Sequence, residues 1–160
     1  MKENAPIKRH KALVSFSKEH HFGLLLIWKI RQGFSYSIKA DRIARYIIYF
    51  FNTDLRAHFQ DEETILFPNL PSNDMLRSRA EAEHRDLHEL IVEISKNMDD
   101  EILIRKFADM LERHIRFEER VLFNHLQDHI SPDVLEEVSK RSANDPDAEW
   151  SDPFWVVKNS

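Results

Sequence analysis

Cysteine is absent from the 160-residue chain. That excludes disulfides, cysteine-ligated zinc, iron–sulfur clusters and thiol catalysis within it, so any metal must be held by nitrogen and oxygen. Glycine is nearly absent as well, at 2 residues, which argues against a turn-rich β architecture and for long uninterrupted helices. Long apolar runs are missing: the longest, Leu24 to Trp28, is far too short to span a bilayer. There is no excess of positive charge, with a net charge of -5 and a pI near 6.0. No basic stripe interleaved with aromatics appears, so a nucleic-acid partner is not expected. The opening residues MKENAPIKRHK carry no apolar signal-peptide core. The expectation is a cytoplasmic protein without membrane attachment, and the length fits one domain.

Apolar periodicity predicts helices throughout. Pro6 is placed as a helix-start residue, followed by a stripe of Leu13, Phe16, His20, Leu24 and Ile27, with QGFSYS around Gly33 as the exit loop. A second helix is expected from about Ala40 to Phe67, its inner face running Ile43, Ile47, Phe51, Leu55, His58, Glu62 and Ile65. Pro68 and Pro71 end it. Ser72 or Asn73 is expected to cap a third helix carrying Ala80, His84, Leu87, His88, Ile91 and Ile94 inward. Asp99 or Asp100 is expected to cap a fourth, with Phe107, Leu111, His114, Phe117, Glu118 and Val121 inward, ending near His129. A short fifth helix, about Pro132 to Lys140, and an apolar tail with Trp150, Phe154 and Trp155 complete the chain. The fold expected is all-α, an up-down-up-down four-helix bundle with a docked aromatic tail. Residues 1–140 form the bundle domain and 141–160 pack on it or on a partner, a homodimer included.

The inward faces carry chemistry. His58 and Glu62, His84 and His88, and His114 and Glu118 are spaced i, i+4, which stacks each pair on one helix face. Buried charge is costly unless paired or bound to metal, so packing alone does not explain these residues. Counting residues from each helix end at about 1.5 Å per residue brings His20 and the three pairs to one level of an antiparallel bundle. The second and fourth helices repeat a motif, HFQDEETILF and HIRFEERVLF. One carboxylate on each of two opposing helices, Glu62 and Glu118, is a natural pair of bridges between two ions.

The series KEHH, HFQDE, HRDLH and HIRFE resembles the hemerythrin and HHE cation-binding family over about residues 8 to 129. The resemblance implies a four-helix bundle around two iron ions, oxo- or hydroxo-bridged, with zinc or another divalent metal as substitute. The histidine ligands it implies are His20, His58, His84, His88 and His114, with Glu62 and Glu118 bridging. In the family's invertebrate oxygen carriers the last acid is an aspartate five residues after its histidine. Here that position is Glu119, and Glu118 is preferred because it shares an inward face with Phe117 and Val121. Members thought to repair damaged iron centres carry a cysteine-bearing N-terminal segment, which has no counterpart here. The function implied is binding of dioxygen or another diatomic, or of iron itself, for sensing, storage or carriage. The alternatives are a di-iron oxidase, peroxidase or nitric-oxide-reducing enzyme, and a zinc-stabilised interaction module.

Other residues receive plainer readings. His21 shares a stripe with Val14, Leu25 and Trp28 rather than with the apolar core, so it flanks the site. Glu63 and Glu119 lie one step round the helix from their neighbours, which reads as solvated charge. A ferritin-like centre would need two Glu-x-x-His pairs, and within the helices only Glu81 and His84 have that form. His125 and His129 read as helix-end histidines, the alternative being a peripheral site completed by His10. Tyr36, Tyr46 and Tyr49 are assigned to loop and core.

Overall fold

The computed structural model describes residues 9–146 and 150–157, so Pro6 lies outside the described residues. A 3-10 turn over Lys11–Leu13, capped by the His10 Nδ1 accepting from the Ala12 amide, leads into α1, Val14–Ser35. The helix runs through Gly33, two residues beyond the expected exit. It ends where Ser37 takes φ 58°, with the Ile38 amide donating to Gly33 and the Ser37 amide to Phe34. This is the paired closing bond of a Schellman motif, with serine in the left-handed position that usually falls to glycine.

The second rod is continuous but not uniform. It comprises α2, Ala40–Phe50, a π-turn at Phe51–Leu55, α3, Arg56–Asp61, and a second π-turn at Glu62–Leu66. α4, Met75–Lys96, is capped by Asp74 rather than by Ser72 or Asn73, because the Asp74 carboxylate accepts from the Arg77 amide at 2.9 Å. α5, Glu101–Phe117, is capped by Asp100 and passes through a π-turn at Glu118–Leu122 into α6, Phe123–His129. α7, Pro132–Val138, is capped by Ser131. Every described element is helical, and the four rods pack as an antiparallel bundle with α1 against α5 and α2, and α4 against both. No described helix is long and apolar enough to cross a membrane.

Two apolar clusters fill the bundle. One contains Ile27, Ile30, Ile43, Ile47, Phe51, Ile94, Ile104, Phe107 and Leu111. The other contains Leu13, Phe16, Leu66, Phe67, Leu122, Phe123 and Leu126. The histidines fall between them. Each π-turn adds a residue to its helix and rotates the turns beyond it. That is why Leu66 and Leu122 are fully buried while Val121, expected inward, is 43% exposed and Ile65 is only half-buried.

The C-terminal aromatics close the far end of the bundle on their own chain. Phe154 is buried against Gly33 and Ile43, Trp155 lies under the Lys29 ammonium, and Trp150 packs on Tyr49. Arg42 donates to both carboxylate oxygens of Asp152, at 2.9 and 2.6 Å. Tyr46, whose hydroxyl accepts from Lys29, is core at this end. Gly33 is the seat of the clasp, because a Cβ there would stand 2.8 Å from the Phe154 ring. Burying a phenylalanine stabilises by about 1.5–3 kcal/mol. Gly33→Val is therefore expected to expel Phe154, lower the thermal midpoint and shift tryptophan emission to the red, as Phe154→Ala should. Unchanged emission in both variants would mean that the tail is held elsewhere.

Candidate metal centre

Each rod delivers one histidine to the layer between the apolar clusters, and the two that carry π-turns also deliver a glutamate. His20, His58, His84 and His114 are almost fully buried, and Glu62 and Glu118 have no exposure at all. Glu62 and Glu118 are the first residues of their π-turns. A π-turn locally widens the helix, and such turns recur at functional sites.

The four rings share one orientation scheme. Every Nε2 points at the central carboxylates: His20 at Glu118 (2.9 Å) and Glu62 (3.6 Å), His58 at Glu62 (3.3 Å), His84 at Glu62 (3.1 Å) and Glu118 (3.6 Å), and His114 at Glu118 (3.3 Å). Every Nδ1 points outward to another acid on a neighbouring rod. His58 donates to Glu19 at 2.7 Å and His114 to Glu83 at 2.8 Å, while His20 lies 3.5 Å from Glu119 and His84 3.6 Å from Glu63. Followed round the bundle, each rod's outer glutamate serves the next rod's histidine. Glu63 and Glu119 thus have a partner inside the molecule, and Glu119 also takes Ser17 and Arg9. The sequence signal for this ring was present as an acid adjoining each inner ligand, in Glu19-His20, Glu62-Glu63, Glu83-His84 and Glu118-Glu119. Counting 100° per residue hid it, because a glutamate is long enough to reach sideways to the adjacent helix.

Two sets of donors emerge. His20, His58, Glu62 and Glu118 form one, and His84, His114, Glu62 and Glu118 the other, with the ligand atoms within each set no more than 4.8 Å apart. The carboxylates are common to both. The Nε2 atoms of His58, His84 and His114, both oxygens of Glu62 and Oε2 of Glu118 are buried and make no hydrogen bond of good geometry. Native interiors rarely leave so many polar atoms unpaired without a bound ion or water. Four imidazoles converging at Nε2, two of them hydrogen-bonded to a carboxylate at Nδ1 and two with a carboxylate within 3.6 Å of Nδ1, form the donor set that a divalent ion takes up.

His88 is not brought into the site. It is exposed, its ring 5.4 Å from Phe51. The buried face of α4 is defined by Ala80, Leu87, Ile91 and Ile94, with His84 at its edge, and His88 falls about 40° further round, outside the bundle. No π-turn interrupts α4 to carry it back. His21 is exposed and Glu81 pairs with Arg77, so neither joins the donor sets. His10, His125 and His129 do not form a donor group among the described residues; His125 instead contacts Asp74 at 2.7 Å and lies tilted against the His129 ring, 4.2 Å between centroids.

Aromatic rings seal the layer. Phe59 stacks on His84 at 4.1 Å, Phe123 on His20 at 5.1 Å, and Phe16 meets His58 edge-on. In this dry setting the electrostatics are strong. Burial alone would lower the imidazole pKa values, but the glutamates more than offset it. All four histidines are raised, His20 and His84 well above the ordinary 6.5. Burial and mutual repulsion push Glu62 up, yet the surrounding histidines leave both it and Glu118 lowered. Without an ion, protons on the imidazoles supply the positive charge that two buried carboxylates require.

Among known families, the Hemerythrin HHE cation binding domain matches residues 9–126. No curated protein sequence and no solved structure matches the chain.

The metal-free protein should have a distinctive pH profile. A raised histidine stabilises the fold fully below its unfolded pKa and ceases to do so as pH rises through the higher folded value. Lowered Glu62 and Glu118 contribute above the ordinary carboxylate range and fail only as pH falls through their depressed values. The thermal midpoint of the metal-free protein is thus expected to fall as pH rises above about 6.5 and through the raised folded values. Metal-loaded protein should show the opposite slope near neutrality, since an ion must displace those protons. Parallel profiles with and without metal would show that the layer does not bind one.

Proposed function

The chain belongs to the hemerythrin HHE cation-binding family, and on that premise we propose that it is a non-haem di-iron protein. It binds dioxygen or another diatomic, or iron itself, for sensing, storage or carriage. The observation that carries this reading is the sharing of Glu62 and Glu118 between two otherwise separate histidine pairs. A single-ion site has no need of a second pair of imidazoles, whereas two ions of like charge held close together need anionic bridges between them. His20 and His58 would hold one ion, His84 and His114 the other, and Glu62 and Glu118 both.

Iron held by these two imidazoles and two shared carboxylates would have room for a small ligand and would supply the redox chemistry to bind it. The chain's own residues do the rest. Glu19 and Glu83 keep the His58 and His114 protons on Nδ1, so that Nε2 is free to ligate, and Glu119 and Glu63 stand beside the Nδ1 atoms of His20 and His84. Phe16, Phe59 and Phe123 cover the imidazoles except on the outer side of His84, which borders an open groove, and a covered layer favours a small uncharged ligand over an ion. Cover of this kind supports binding over turnover, and an oxidase or peroxidase would need a route for a larger substrate.

A second reading has an observation in its favour. Four protein donors to each ion, two nitrogen and two oxygen, would also complete a closed tetrahedral shell. Zinc would then stabilise an interaction module.

Elemental analysis and an optical spectrum separate the two. Protein produced with iron is expected to contain about two irons per chain, and to show near-ultraviolet charge-transfer absorption that changes on admitting air. Colourless protein holding zinc alone under those conditions would favour the second reading. The ligand assignment has its own test. His84→Ala is expected to lose roughly half the bound metal or more, whereas His88→Ala retains the wild-type complement. Loss of metal in His88→Ala would return His88 to the ligand set.

A further inference from the structure

The four outer carboxylates are not held alike. Glu63, facing His84, is 41% exposed in its side chain. It borders an open groove of 280 Å³ lined by Arg56, Gln60, Arg85 and His88. Glu83 is tied by Arg79 at 3.1 Å and Glu119 by Arg9 and Ser17. Glu19 is the most constrained. Its side chain is 7% exposed, and besides the His58 proton it accepts from the Arg141 guanidinium at 2.8 and 3.0 Å and from the Asn144 amide at 2.7 Å.

Arg141 is itself fixed. It donates to Asp61 at 2.8 Å and to the Ser15 hydroxyl at 2.9 Å, and its guanidinium lies 3.9 Å over the Phe16 ring. It therefore bolts α1 to α3 on the outer side of His58. Asn144 and Pro146 continue the cover, leaving a cleft of only 10 Å³ beside Glu19 and His58. Arg141 and Asn144 both stand beyond residue 126, where the match to the family ends. The two donors of the lock therefore come from outside the matched segment, while the acids they hold lie within it.

We propose that Arg141 is a positioning residue for the metal centre: through Glu19 it fixes the His58 ring and makes the His20/His58 position the tighter of the two ion positions. The inference rests on the two-ion reading of the centre. A carboxylate held at both oxygens by the Arg141 Nη2, and at one of them by a backbone amide as well, cannot swing away, so the His58 Nδ1 proton has one acceptor in one place. The paired position at His84 has a carboxylate free to leave for solvent, next to a groove that admits water. The two positions therefore differ in affinity and in exchange, although their inner donors are equivalent in type.

The test is a titration of the full-length metal-free chain with zinc under a competing chelator, together with proton exchange at the imidazole Nδ1 of the zinc-loaded protein. Wild type is expected to bind in two resolved steps. Arg141→Ala should weaken the tighter step by about tenfold, leave the weaker one within about twofold, and speed exchange of the His58 proton but not of the His114 proton. Arg141→Lys should recover only part of this, since a single ammonium nitrogen cannot replace the three guanidinium nitrogens that together hold Glu19, Asp61 and Ser15. Arg79→Ala, which loosens Glu83, should act on the other step. If wild type binds two zincs and Arg141→Ala lowers both steps equally or neither, the positioning role is wrong while the metal centre stands. The positioning role is equally wrong if the loss tracks a drop in metal-free thermal midpoint with His58 exchange unchanged. A wild-type chain that takes up no zinc overturns the centre and the inference together.

Discussion

Glu62 and Glu118 are carboxylates with no exposure, set side by side in the middle of a helical bundle. Taking one such charge out of water costs on the order of several kcal/mol even after relaxation, and placing two together adds their repulsion. Nothing in an apolar core repays that, so the surrounding structure must supply positive charge. Four imidazoles converge on the pair, carrying protons in the metal-free protein and free to exchange them for cations. The acids outside the imidazoles, the aromatic rings that dry the layer and the arginines that anchor the outer acids all stem from that central demand.

The layer has an internal symmetry that the whole-chain sequence shows only faintly. α1 and α4 each contribute an acid followed by a histidine, and the rods containing α3 and α5 each contribute a histidine followed four residues later by two acids. Packed antiparallel, these become a closed ring in which each outer acid supports the next rod's histidine. The two π-turns beginning at Glu62 and Glu118 belong to the same symmetry. Each inserts a residue at the level of the site, turns the following Leu66 or Leu122 inward, and carries the helix on into the second apolar cluster. The symmetry is broken from outside: the segment after α7 tightens the corner at Glu19 and His58, while the next corner round, at Glu63 and His84, borders a solvent groove.

Packing around the layer is conventional for helices but specific at a few points. Gly23 and Gly33, the chain's 2 glycines, are places where something approaches too closely for a Cβ: the Ile115 side chain at one and the Phe154 ring at the other. The second of these fastens the C-terminal aromatics to the end of the bundle far from the site, where the chain would otherwise present tryptophans to solvent.

Much of this was legible in the residues. The spacing of apolar side chains located the helices and narrowed one cap to Asp99 or Asp100, of which the fold uses Asp100; the i, i+4 pairs located His58, Glu62, His114 and Glu118, and the stripe shared with Phe16 chose His20 over His21. These are local properties, because a helix fixes which side chains share its face whatever it packs against. Three matters were settled only by the assembled fold. His88 satisfies the spacing rule and still faces solvent, since the width of α4's buried face depends on how its neighbours sit. Val121 gave way to Leu122 because a π-turn, which no residue pattern announced, rotated the helix. Glu63 is exposed as its place on the helix suggests, but that it and Glu119 also stand beside an imidazole depends on a second helix at the right distance, and Arg141's hold on Glu19 needs the chain to return from more than a hundred residues away. One strand of sequence determines what each helix offers; only the packing of several decides which offers meet.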